Sequence, residues 1–195
     1  MFSLIYPAQG APLLPKPSAA SPGPAPSDDE ILPIVEPYGL VTGRAPRSYC
    51  HGGSHLLHPV VHLHVVDRDG RVFVQQRSMS KDLYPGRWDT GVGGHVSYGE
   101  TIEEALFREA EEEIGLTGFN PVFLESYVWE SPTETELVCV FATVGNFDLH
   151  PLNGEVSGGK YLPIEELKDY FGKSIFTPNF EEELSRMAPA LLALL

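Results

Sequence analysis

The stretch GETIEEALFREAEEEIGL, residues 99–116, constrains this chain more than any other. Wound at 3.6 residues per turn, Ile102, Ala105, Leu106 and Ala110 fall in one apolar arc. Glu109 and Glu113 fall in the same arc, within about 20° of Ile102, and Glu112 lies near its edge. Glu104 and Glu111 point the other way, as ordinary solvated residues. The first turns thus bury aliphatic side chains, and the next turns aim carboxylates in the same direction. Crowded carboxylates repel one another and resist desolvation. A divalent cation relieves both problems, and Mg²⁺ takes oxygen ligands while sharing its shell with substrate phosphates. The plainer alternative is a helix that leaves the core and lets these glutamates reach water. Thr101 or Ser97 is placed to cap the helix start, and Gly115 to end it in a left-handed residue. Arg108 is expected to anchor the glutamates rather than to touch a substrate.

Composition narrows the function classes. The chain has 195 residues and a formal net charge of −14, with no basic stripe. That charge argues against binding a nucleic-acid duplex. It leaves room for a small phosphorylated molecule, because a bound cation reverses the local potential of an acidic pocket. Cys50 and Cys139 form neither a metal spacing nor a disulfide framework, which suits a reducing compartment. No run approaches the ~20 apolar residues that span a bilayer. MFSLIYPAQG lacks the basic region and the length of a signal peptide. A cytoplasmic protein with no membrane partner is expected.

Residues 1–27 are rich in proline, alanine and serine with no repeating apolar face, and read as a disordered or extended arm. Residues 28–195 read as one domain. IVEPYGLVTG within 31–47 suggests a small hairpin. HPVVHLHVV at 58–66 and RVFVQQR at 71–77 read as two strands joined by the DRDG turn. A short strand is expected near Trp88, and longer ones at 122–129 and 136–144. Helices are expected from Pro163 and over 178–187. The apolar APALLALL pads the core or a dimer seam, leaving the chain a monomer or a homodimer. Strands on both sides of the glutamate helix predict an α/β layered domain. No GxxxxGK[ST] phosphate loop occurs.

The helix and its flanks also carry a resemblance. Gly94, Glu100, Arg108-Glu109-Ala110, Glu112-Glu113 and Gly115-Leu116, at their spacing over 23 residues, resemble an unbroken Nudix box. The resemblance implies an α/β/α sandwich around a mixed β-sheet. It also implies hydrolysis of a nucleoside diphosphate linked to another moiety. By it, Glu109, Glu112 and Glu113 match the principal metal ligands, and Glu100 matches a frequent accessory carboxylate. Mg²⁺ is the implied cofactor, with Mn²⁺ as a substitute.

RSMSKDLYPGRWDTGVGGH extends the likeness to isopentenyl-diphosphate isomerase and its hydrolase-like relatives, over approximately residues 28–185. By this resemblance Arg77 and Lys81 match residues that bind the substrate diphosphate. His51, His58, His95, Glu134 and Glu136 match the isomerase's metal site, a credible nitrogen-and-oxygen set. Taken singly, His58, His62 and His64 share one strand face and read equally well as stacked core or surface histidines. Three departures weigh against isomerisation. Gly93 stands where the isomerase has its catalytic cysteine. Thr177-Pro178-Asn179 lacks its tryptophan. Glu109 and Glu112 complete a box that the isomerase leaves incomplete.

The expected activity is therefore Mg²⁺-dependent hydrolysis of a phosphoanhydride in a nucleoside di- or triphosphate or related diphosphate. Glu112 or Glu100 would accept the water's proton. An isomerase-like enzyme and a non-catalytic nucleotide-binding module are the alternatives. Tyr84, Trp88, Tyr127 and Trp129 are available aromatic platforms or core residues. The leaving group is not legible.

Overall fold

A near-continuous apolar run before Pro37 and an alternating one after Gly39 form the first hairpin, β1 (Ile31–Val35) and β2 (Val41–Pro46), paired antiparallel from Ile31↔Pro46 to Val35↔Val41. The computed structural model describes residues 2–14, 29–81, 83–150, 154 and 156–195. After β2 come a single helical turn, α1 (Arg47–Tyr49), a π-turn at Cys50–Ser54, and strands β3 (Leu57–Val66), β4 (Arg71–Arg77), β5 (Trp88–Thr90) and β6 (Val92–His95). Helix α2 (Ile102–Ile114) follows, then β7 (Val122–Glu130), β8 (Thr135–Val144), β9 (Val156–Pro163), α3 (Ile164–Leu167) and α4 (Pro178–Leu192). The large sheet runs β5-β4-β3-β8-β7, with β6 added to β3 and β9 to β4. Helices flank this mixed sheet, giving the α/β fold expected from the sequence.

Strands β6 and β9 were not legible in the sequence. Paired glycines ordinarily weaken a strand, and β9 contains Gly158 and Gly159. The structure gives the reason for one of them. A Cβ on Gly159 would stand 2.1 Å from Cζ of Phe73, so only glycine lets that ring lie over β9.

The chain divides into two units. The first comprises Met1–Val61, Gly94–Ala105 and Ser126–Cys139. In it, residues 2–14 run beside β2. Ile5 bridges Leu40 and Leu13 bridges Arg44, both in parallel. The Ile5 and Val41 amides each donate to a carbonyl across this pair at 2.9 Å. Phe2, Leu4 and Tyr6 pack on a core of Ala11, Val35, Val41 and Leu137. This part of the proline-rich arm is extended, one of the two conformations expected for it, and it is docked, which its composition did not reveal. Residues 15–27 of the arm lie outside the described residues. A second small core joins Leu32, Ile34, Ala45 and Cys50. Both cysteines are free and buried, and burial pushes the Cys50 thiol up to about 11 and that of Cys139 up to about 12.

The second unit comprises His62–Gly93, Leu106–Glu125 and Val140–Leu195. Here β4 pairs antiparallel with β5 through Val74↔Thr90 and with β9 through Val74↔Lys160. Thr177 caps α4 by accepting from the Phe180 amide at 3.3 Å, and Pro178 occupies the first turn. Phe176 and Phe180 pack with ring centroids 5.0 Å apart. In the apolar tail Ala188 and Leu191 are buried in the core, while Leu192 and Leu195 are exposed.

Candidate functional site

The start of α2 is set by a reciprocal cap. The Thr101 hydroxyl accepts from the Glu104 amide at 3.1 Å, and Glu104 Oε2 accepts from the Thr101 amide at 2.9 Å. The preceding loop is held nearby, where Glu100 Oε2 accepts from the Ser97 amide at 3.0 Å. At the far end Gly115 adopts φ 68°, and the Leu116 amide donates back to Ala110.

Between these ends the carboxylates separate by environment. Glu111 is exposed, as the wheel predicts, and the Glu112 side chain is 57% exposed. Arg108 Nη1 lies 2.7 Å from Glu109 Oε1 and 3.4 Å from Glu112 Oε2, so it anchors these two glutamates. Glu113 is only 5% exposed. Its Oε2 accepts from the Gly93 amide and from the Gln75 side chain, each at 3.0 Å. Burial pushes its carboxyl up to about 8, and the charge of Glu109 adds to that rise, while Gly93, Gln75 and the Lys81 charge pull it down. A buried carboxyl beside a second acid is a group that a cation would relieve. Gln75 and Gly93 were not singled out as its partners. Gln75 lies in the alternating run RVFVQQR, where a buried polar residue among valines is the available signal.

Arg77 is committed to its own loop. Its Nε donates to the Leu83 carbonyl at 3.1 Å, and Nη1 pairs with Asp89 Oδ2 at 3.1 Å. Asp89 also accepts from the Thr177 hydroxyl at 2.8 Å. Lys81 lies near enough to Glu113 to oppose its neutralisation electrostatically. The Trp88 ring is capped by the Lys160 ammonium 4.1 Å from its centroid.

In the first unit, all five residues of the expected nitrogen-and-oxygen set converge. Potential ligand atoms of His51, His58 and His95 lie within 4.8 Å of one another, as do those of His58, Glu134 and Glu136. The Nε2 atoms of His51 and His95 are 3.0 Å apart, and His51 Nδ1 is 2.5 Å from Glu134 Oε2. The residues fit a divalent cation. His58 Nδ1 donates to the Leu56 carbonyl at 2.9 Å, which fixes the tautomer and leaves the lone pair on Nε2. That Nε2 is buried with no hydrogen-bond partner. Burial holds the His58 imidazole below its usual range. Burial tends to raise the Glu134 carboxyl, but His51 and His58 outweigh it and hold the group below the usual carboxylate range.

The remaining histidines of β3 form a separate network. His62 Nδ1 donates to Glu183 Oε2 at 2.8 Å, and His64 Nε2 donates to Oε1 at 2.7 Å. Glu183 is wholly buried on α4. Burial alone would raise its carboxyl, yet the two imidazoles outweigh it and keep the group well below the ordinary range. The one-face reading of these histidines holds for His62 and His64, with a carboxylate partner more than a hundred residues away.

A glutamate-bearing helix, a mixed sheet flanked by helices and a cluster of side chains that could hold a divalent cation define an α/β protein with a candidate metal site. Residues 56–180 match the NUDIX domain model, and the chain belongs to that family. It is 36% identical over 157 residues to an uncharacterised Nudix hydrolase of Streptomyces coelicolor, covering 78% of this chain and 85% of that one. It is 31% identical to an isopentenyl-diphosphate Delta-isomerase of Brevibacterium linens, over 83% of this chain and 93% of the relative. Among solved structures, a protein of Deinococcus radiodurans aligns with a TM-score of 0.70 at 28% identity, covering 80% of this chain and 98% of that one.

Proposed function

We propose that this chain is a Mg²⁺-dependent pyrophosphohydrolase, cleaving a phosphoanhydride in a nucleoside di- or triphosphate or a related diphosphate. Membership of the Nudix family supports hydrolysis of a diphosphate at the level of the superfamily. The observation that carries the reading is Glu113, buried between the Gly93 amide and Gln75 with the Glu109 charge beside it. Glu109, Glu112 and Glu113 would hold Mg²⁺ or Mn²⁺, which when bound polarises phosphate oxygens and lowers the pKa of water. Arg108 holds Glu109 and Glu112 in place before a cation arrives. Glu112, the most exposed of the three, or Glu100 accepts the proton of the attacking water. Lys81 and Arg77 take the distal phosphate, Arg77 by exchanging its pairing with Asp89 for the incoming anion.

The histidine cluster favours a second reading, an isopentenyl-diphosphate isomerase-like enzyme. His51, His58, His95, Glu134 and Glu136 would hold its cation. The relative named as such an isomerase supports it. Gly93 opposes it, because a residue without a side chain moves no proton. Phosphate release against product isomerisation, measured on nucleoside diphosphates, nucleotide sugars and isopentenyl diphosphate, separates the two. No helix among the described residues is long and apolar enough to cross a membrane.

A further inference from the structure

Each residue of the loop 97–100, which leads into α2, is held by a group from the first 31 residues of the chain. The Ser97 hydroxyl donates to Glu30 Oε1 at 2.7 Å, and the Tyr98 amide donates to the Ile31 carbonyl at 2.8 Å. The Tyr98 hydroxyl accepts from the Ala11 amide at 2.9 Å. Tyr6 then takes the last two residues together. Its hydroxyl accepts from the Gly99 amide at 3.0 Å and donates to the Glu100 carbonyl at 3.2 Å. The Tyr6 ring meets Tyr98 edge-on, with centroids 5.5 Å apart, and the Arg44 guanidinium lies 5.2 Å from the Tyr98 centroid.

The arm is seated on β2 in a defined register. The Leu14 amide donates to the Arg44 carbonyl at 2.7 Å, and the Arg44 amide to the Pro12 carbonyl at 2.8 Å. At the hairpin turn Gly39 has φ 94°, and a Cβ there would stand 2.6 Å from the Ser3 carbonyl oxygen. Both its backbone conformation and the approach of the arm require glycine. This register sets where Tyr6 lies. The loop in turn orients Glu100, whose amide donates to the Ser97 carbonyl and whose Oε2 accepts from the Ser97 amide, each at 3.0 Å.

We propose that Tyr6 is a positioning residue for Glu100: by bonding the Gly99 amide and the Glu100 carbonyl, the docked arm holds the turn that aims the Glu100 carboxylate for proton transfer. This rests on the reading of the chain as a diphosphate hydrolase in which Glu100 takes part. A proton acceptor that loses its aim costs rate rather than binding.

The test uses the full chain, wild type and Tyr6→Phe, each with and without Glu100→Gln. Tyr6→Phe keeps the ring and removes only the hydroxyl. Amide hydrogen exchange followed by NMR needs no turnover. Tyr6→Phe is expected to speed exchange of the Gly99 and Ser97 amides at least ~10-fold. The Val96 amide, which donates to the Pro59 carbonyl at 3.2 Å, is expected to stay as it was. Phosphate release from nucleoside di- and triphosphates with Mg²⁺ is measured where every variant is folded. Tyr6→Phe is expected to lower kcat about fivefold at unchanged KM, but by no more than about 1.5-fold when Glu100→Gln is already present. An unmoved Ser97 amide, or the same loss of kcat in both backgrounds, overturns the assignment. If wild type hydrolyses nothing while the Ser97 amide is released, the hydrolase reading fails and the hold of Tyr6 on Glu100 stands. If wild type hydrolyses and Tyr6→Phe keeps its kcat, only the positioning role fails.

Discussion

Gly93 donates its backbone N–H to the buried carboxylate of Glu113 at 3.0 Å, tying strand β6 to a glutamate in the last turn of the box helix. A main-chain donor cannot be lost by side-chain rotation, so this bond positions Glu113 before any cation is present. It does not offset burial, and the neutral form of the carboxyl is favoured up to about pH 8.

That shift has a stability consequence. A carboxyl whose folded pKa is raised contributes stability that is fully present below the ordinary value of 4.5 and is lost as pH rises through about 8. Glu113→Gln keeps an acceptor for Gly93 and stays neutral throughout. In chelator, the variant is expected to be more stable than wild type above pH 8, with the difference vanishing near pH 4.5. Urea unfolding at both ends of that range checks it. A difference independent of pH would contradict it.

The buried Glu183 makes a prediction about cohesion. Glu183→Ala leaves His62 and His64 without the acceptor that both use. Breaking such a buried pair on one side is expected to cost about 3–5 kcal/mol. Denaturant midpoints measured at neutral pH report the loss, and a change below about 1 kcal/mol would show that the network carries no stability.

How much of this was legible in the sequence depends on range. The box helix, its Thr101 and Gly115 ends and its solvated Glu104 and Glu111 were readable because a 3.6-residue period and capping chemistry are local. The β3–β4 hairpin was readable for the same reason. The histidine cluster was gathered by resemblance rather than by periodicity, since its members come from separated segments. Glu183 was invisible because nothing local marks it as the partner of His62, 121 residues earlier. Gln75 and Gly93 were missed because a side-chain amide and a backbone amide become partners of Glu113 only when the strands are in register. The docked segment 2–14 was obscured by composition, for an extended chain bridging a strand needs no apolar period.

The docking of that segment can be tested directly. Tyr6 donates to the Glu100 carbonyl at 3.2 Å and accepts from the Gly99 amide at 3.0 Å. Tyr6→Phe is expected to cost about 1 kcal/mol. Removing residues 2–14 is expected to cost more, because Val35, Val41 and Leu137 lose apolar cover. Thermal unfolding of both variants checks the order. A truncated chain as stable as the full one would make the segment a mere tether.

The histidine cluster yields a binding prediction. Wild-type chain dialysed against Mn²⁺ or Zn²⁺ is expected to retain an ion that Glu113→Gln also retains and His58→Ala does not. Elemental analysis after dialysis checks this, with affinity lowered at least ~10-fold in the variant. Equal retention by wild type and His58→Ala would make the cluster a hydrogen-bonded network only.

The most direct test is phosphate release with Mg²⁺ from nucleoside di- and triphosphates, nucleotide sugars, dinucleotides and prenyl diphosphates. Wild type runs beside Glu112→Gln and Glu113→Gln. Metal-dependent release by wild type from at least one class, reduced ~100-fold or more in both variants, is the expected result. Silence of wild type across all of them, or release that both variants sustain undiminished, would contradict the hydrolase.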